Sequence, residues 1–149
     1  MWQKILNCKC LDSWRDWSYL FLRVVVGAVF FMHGYQKLTQ FTIPGVAQNL
    51  ITGGLGWQFP MFWAYLLTYG ELIGGAFLIL GLFTHWAAKI SAFIAFVALI
   101  FIHLKGGFFL SGNGYEYILT LLAASIYLMS AGAGKYSLDK MWRNKDSMM

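Results

Sequence analysis

Charge is what this sequence has least of. Only 11% of its 149 residues are charged, while 59% are hydrophobic; a soluble domain carries roughly 25% charged residues. With the apolar residues gathered into blocks, this excludes a soluble globule and a disordered chain. Cysteine is nearly absent too. Cys8 and Cys10 are the only two, too few for a disulfide framework, and two thiolates do not complete a tetrahedral metal site. They read as free thiols on a tail in the reducing cytosol. No Gly-rich phosphate loop, nucleophile elbow or haem-binding pattern occurs. The first 16 residues lack an apolar signal-peptide core and carry Lys4, Lys9, Asp12, Arg15 and Asp16. They are expected to stay in the mature protein ahead of the first span.

What is present is four long apolar runs, at residues 17–36, 60–83, 86–104 and 117–134. At about 1.5 Å per helical residue, each can cross a hydrocarbon layer of about 30 Å. The expected fold class is all-α: an integral membrane four-transmembrane-helix bundle. The expected organisation is an N-terminal segment 1–16, a membrane domain 17–134 and a basic tail 135–149. The turn at Thr84-His85 makes spans two and three an antiparallel hairpin. Loop 38–59 contains Val46, Ala47, Leu50, Ile51 and Trp57, too apolar for a solvated loop. A short interfacial helix fits, with Trp57 and Trp63 at headgroup level.

The formal net charge of +5 suggests a nucleic-acid partner, but its distribution argues for a bilayer. Lys4, Lys9 and Arg15 precede span one, Lys89 lies just inside span three, and Lys135, Lys140, Arg143 and Lys145 follow span four. The opposite side has only Lys37 and Lys105. Positive residues collect on the cytoplasmic side, so both termini are expected inside. The basic ends read as topology signals and lipid contacts, with no nucleic acid.

Arg23, Glu71, His103 and Glu116 sit inside or at the ends of apolar runs. A charge in the hydrocarbon layer costs about 2.5–3.5 kcal/mol or more, so it faces a partner or a cavity. Helical phase groups Arg23, Gly27, Phe30, Gly34 and Lys37 on one face of span one. It groups Ala64, Glu71, Gly74, Gly75 and Leu78 on span two, and Ala92, Phe96, Leu99 and His103 on span three. On span four it groups Glu116, Thr120, Ala123, Tyr127, Ser130 and Gly134. Small and polar residues favour close helix contact in membranes, so these faces are expected to point inward. Depth counting, about 9 Å from one side for Arg23 and about 17 Å from the other for Glu71, suggests a buried Arg23/Glu71 pair. His33, His103 and Glu116 are expected to meet near the external boundary. The pair either fixes packing or binds an anionic or quinone-type ligand. The histidines either bond loop carbonyls or carry protons. The three side chains are metal-ligand types without helical metal-ligand spacing, so no metal is read.

Three stretches resemble the DoxX family of small membrane proteins. They are Leu22-Arg23 with Gly27 and His33-Gly34-x-x-Lys37; Phe59-Pro60 through Ala64-Tyr65-Leu66 and Glu71-Leu72-Ile73-Gly74-Gly75 to Leu80-Gly81-Leu82-Phe83-Thr84; and His103, Gly107-Phe108-Phe109 and Asn113-Gly114-Tyr115-Glu116-Tyr117. His85 departs from the pattern, standing where relatives often have Arg. The resemblance implies a bundle in the bacterial or archaeal cytoplasmic (inner) membrane. It also implies a subunit of a redox assembly, such as a quinone-linked oxidoreductase or an oxidative-stress complex with protein partners. It transfers Arg23, His33, Lys37, Glu71, His103 and Glu116 as site positions. The leading expectation is a quinone-linked oxidoreductase subunit: His33, His103 and Glu116 as catalytic groups, and Arg23, Lys37, Glu71 and Tyr127 around a quinone cofactor. The alternatives are a non-catalytic scaffold that binds proteins through its external loops, and a small transporter.

The charge asymmetry yields a topology prediction. A cysteine placed at Asn49 reacts with an impermeant thiol reagent in intact cells. Labelling only after lysis would invert the topology.

Overall fold

The computed structural model describes residues 12–146, so Cys8 and Cys10 and the reading attached to them lie outside it. Every regular element among the described residues is helical. Helix α1, Asp12–Gln36, runs on into a π-helical segment Lys37–Phe41. At Thr42 the backbone takes φ 58°, ψ 154° and the chain turns sharply. Helix α2, Ile43–Val46, follows, with Pro near its start and the Thr42 hydroxyl accepting from the Gly45 N–H; it continues as Ala47–Leu55. Helix α3 is Pro60–Leu80, opened by proline and closed by left-handed Gly81. Helix α4, Thr84–Ala98, continues through Leu99–His103. Helix α5 is Glu116–Ala131 and α6 is Leu138–Asp146.

Helix α1 lies along α3, α3 along α4 and α4 along α5, and α5 returns to α1. Among the described residues, three helical stretches, Trp14–Phe41, Pro60–Leu80 and Thr84–Gly106, are long and apolar enough to cross a membrane. Helix α5 is apolar but has 16 residues, about 24 Å of helix. Large apolar side chains such as Phe21, Leu66, Phe93 and Ile126 point outward from the bundle. So wide an apolar exterior suits lipid rather than water.

The tightest seam joins α1 to α3. A Cβ added to Gly75 would lie 2.3 Å from the Phe31 amide nitrogen, and one on Gly34 would lie 2.5 Å from that of Leu72. Gly27 meets the Gly75 carbonyl and the Ile79 amide in the same way. Without side chains the two backbones touch, as small residues allow in membrane helices. Arg23, Gly27, Phe30 and Gly34 are buried, as are Ala64, Glu71, Gly74, Gly75 and Leu78, so the inward faces read for spans one and two hold.

The other two faces need correction. Helix α4 buries Ala87, Ala88, Ser91, Ala92 and Ala95, while Phe96 is about half exposed. Helix α5 buries Leu121, Ser125 and Leu128, and Thr120, Ala123, Tyr127 and Ser130 face out. The reason lies in the hydroxyls. Thr120 donates to the Glu116 carbonyl at 2.9 Å and Ser130 to the Tyr127 carbonyl at 2.9 Å. A hydroxyl satisfied on its own helix costs little facing lipid.

Loop 38–59 is largely helical. Ile43, Val46, Ala47 and Ile51 form a second small core against Ala64 of α3. The Trp57 and Trp63 rings meet edge-on, 5.0 Å apart. The glycine seam gives a sharp expectation for packing. Gly75→Ala forces backbones apart and costs about 1–3 kcal/mol or more, whereas Gly70→Ala, whose nearest neighbour is the Ile94 Cδ1 at 3.3 Å, is nearly neutral. Thermal melts in detergent test this, and equal melting of the two variants would refute the seam.

Candidate functional site

Two cations, Arg23 on α1 and the half-buried Lys37 just beyond it, find partners in different ways, with the Arg23 Nε left unpaired. Arg23 is 2% exposed. Its guanidinium donates to the Ala133 carbonyl and, at 2.7 Å, to the Tyr136 carbonyl. These carbonyls belong to the strap between α5 and α6, and the Tyr19 hydroxyl donates to Gly132 of the same strap. Asp139 completes this end of the bundle. Its carboxylate accepts from the Phe83 N–H at 2.8 Å and the Thr84 N–H at 2.9 Å, capping α4, and its own N–H donates to the Gly81 carbonyl at 3.0 Å.

The expected Arg23/Glu71 pair therefore does not form. Helix α1 starts before the apolar run used to measure depth, so Arg23 comes level with the end of α3. A Cβ on Gly81 would lie 2.5 Å from the Arg23 Nη1, and Glu71 is about 15 Å further along α3. The partner of Glu71 is Lys37, with Nζ 2.6 Å from Oε2. The Lys37 and Glu71 side chains are only 15% and 8% exposed. The π-helical turn at Lys37–Phe41 carries this lysine; such turns recur at functional sites. One turn before Glu71, the Thr68 hydroxyl is fully buried and has no hydrogen-bond partner. On the outer side of α1, Met32, His33, Tyr35, Gln36 and Gln40 line a groove of about 270 Å³. His33 stands one helical turn before Lys37.

His103 and Glu116 act on the loop between α4 and α5. The His103 Nδ1 is 3.1 Å from the Asn113 carbonyl. The Glu116 carboxylate accepts from the Leu110 N–H at 2.7 Å. Backbone bonds from Tyr115 to Gly107 and from Glu116 to Phe108 close the same loop. No hydrogen bond or ion pair among the described residues joins His33, His103 and Glu116, and no group of three His, Cys, Asp or Glu there could hold a metal. Tyr127 lies on the outer face, its ring 6.1 Å from that of Tyr19. Sequence reasoning singled out Lys37 and Glu71 but did not pair them, and it missed Thr68 and Asp139. Thr68 was legible from its spacing to Ala64 and Glu71, which puts it on the same face.

The family model for DoxX matches residues 18–104. The chain belongs to the DoxX family. That match takes in Arg23, His33, Lys37, Glu71 and His103. An uncharacterized protein of Haemophilus influenzae is 35% identical over 140 residues, covering 91% of this chain and 98% of its own length. The protein named "Putative oxidoreductase CatD" of Bacillus subtilis is 36% identical over 120 residues, covering 80% of this chain and 83% of its own. A second uncharacterized H. influenzae protein is 29% identical over 145 residues. No solved structure matches significantly.

The pairing is open to a double-mutant cycle. Glu71→Leu or Lys37→Leu alone strands a buried charge and costs roughly 3–5 kcal/mol, and the double variant recovers most of it. Arg23→Leu and Glu71→Leu add independently. Coupling between Arg23 and Glu71 in detergent melts, with none between Lys37 and Glu71, would reverse the assignment.

Proposed function

We propose that this DoxX protein is a membrane subunit of a quinone-linked oxidoreductase, with its ligand site at Lys37 and Glu71. The observation that carries the reading is that ion pair, held inside an apolar bundle at 2.6 Å. A buried pair gives little stability beyond what apolar side chains would supply, and an ionisable residue at membrane depth marks a functional position. The name of the B. subtilis relative supports redox chemistry. The residues fit a quinone headgroup: the Lys37 ammonium has donors to spare, and the Thr68 hydroxyl is buried with no partner. A quinone, when bound, supplies two-electron, two-proton redox chemistry. Lys37 would donate a hydrogen bond to a ring carbonyl oxygen. Glu71 would hold a proton at a carboxylate oxygen and keep Lys37 charged. His33, in the groove on the outer side of α1, would exchange protons at the edge of the site. Electrons would come from a partner subunit. In this reading α5 is a fourth, shorter span, both termini are cytoplasmic, and the membrane is the bacterial inner membrane.

A second reading, a protein-binding scaffold, draws on the loop closed by His103 and Glu116. This loop holds Phe108, Phe109 and Leu110 outward, a small apolar surface for a partner.

Lipid extraction from protein purified in mild detergent separates the two. Wild type is expected to carry quinone, while Lys37→Met together with Glu71→Leu, which removes both charges, loses it at least about tenfold, as loss of one good charged hydrogen bond implies. Wild-type protein free of quinone, or a folded double variant that retains it, moves the weight to the scaffold.

A further inference from the structure

At the opposite end of the bundle from the His103 loop, a cavity of about 840 Å³ opens between the start of α4, the end of α5 and α6. Phe83, Trp86, Ala131, Lys135, Lys140 and Arg143 are among the residues that line it. We propose that this cavity is a binding site for an anionic phospholipid, with the phosphate on Lys140 and Arg143 and an acyl chain along Phe83 and Trp86.

Lys135 lies 3.5 Å from Asp16, and the carboxylate of Asp139 is taken up in capping α4. The ion pairs Lys37–Glu71 and Lys135–Asp16 do not involve Lys140 or Arg143. Lys140 and Arg143 thus face a cavity whose carboxylate, that of Asp139, is turned to the Phe83 and Thr84 amides.

The apolar surface decides between a lipid and a free phosphate. Trp86 is 63% exposed and Phe83 is also exposed. Lys89 Nζ sits 4.4 Å from the Trp86 ring, which adds a third cation beside the aromatic wall. A soluble anion has no use for such a wall. An acyl chain does, and tryptophan beside basic residues suits the headgroup level.

The start of α6 is held rigidly. The Ser137 hydroxyl donates to the Gly134 carbonyl and accepts from the Lys140 N–H, and Asp139 ties the start of α6 to Gly81, Phe83 and Thr84. The cations are therefore held at the bundle end before any lipid arrives, which lowers the ordering cost of binding.

Native mass spectrometry of the full chain in detergent tests this, with phosphatidylglycerol and phosphatidylcholine of matched acyl chains as probes. Phosphatidylglycerol is expected to be retained over phosphatidylcholine, and Lys140→Gln with Arg143→Gln to weaken its retention at least about tenfold. Trp86→Ser, which keeps the charges, is expected to weaken it as well. Lys105→Gln, at the other end, leaves it unchanged. Equal retention of both lipids overturns the proposal. So does wild-type retention by either variant with an unchanged melt, or displacement of the lipid by inorganic phosphate alone.

Discussion

Two helices in backbone contact cannot slide past one another. Gly27, Gly34 and Gly75 bring α1 and α3 that close, and the register they impose decides where each charge on α1 ends up. It sets Arg23 level with the Gly81 turn and Lys37 opposite Glu71. A shift of one helical turn, about 5.4 Å, would take Lys37 off its carboxylate and Arg23 off its carbonyls together. The seam therefore acts on electrostatics through steric contact. In lipid this matters more than in water, because no solvent is at hand to rescue a displaced ion.

Much of the architecture was legible because apolar run length and small-residue faces report directly on membrane packing. Spans one and two were read correctly from Gly27, Gly34, Gly74 and Gly75. Helix α5 was misread because Thr120, Tyr127 and Ser130 looked like a polar seam. The sequence does not say that Thr120 and Ser130 spend their hydrogen bonds on the preceding turn. The ion pair was misassigned for a different reason: run length locates a helix only loosely along the membrane normal. An axial error of about 15 Å, some ten residues of helix, exchanges Arg23 for Lys37 as the neighbour of Glu71.

The ends of the bundle are built by opposite means. At one end, His103, Glu116 and a set of backbone bonds fold residues 104–116 onto themselves. Their titratable side chains are engaged with main-chain groups, which is the role that resembled catalysis in the sequence. At the other end, the chain after α5 comes back to meet α1 and the α3–α4 turn through Tyr19, Arg23 and Asp139. The proposed ligand site, at Lys37, Glu71 and Thr68, takes part in neither closure.

The return of the strap to Arg23 also orders the protein's biogenesis. Arg23 enters the membrane with the first helix, yet the carbonyls of Ala133 and Tyr136 that accept its hydrogen bonds are made more than a hundred residues later. Throughout synthesis of α3, α4 and α5 the guanidinium has to be sheltered by lipid phosphates, water or the insertion machinery. A chain interrupted ahead of residue 133 therefore lacks both carbonyls that accept from the Arg23 guanidinium.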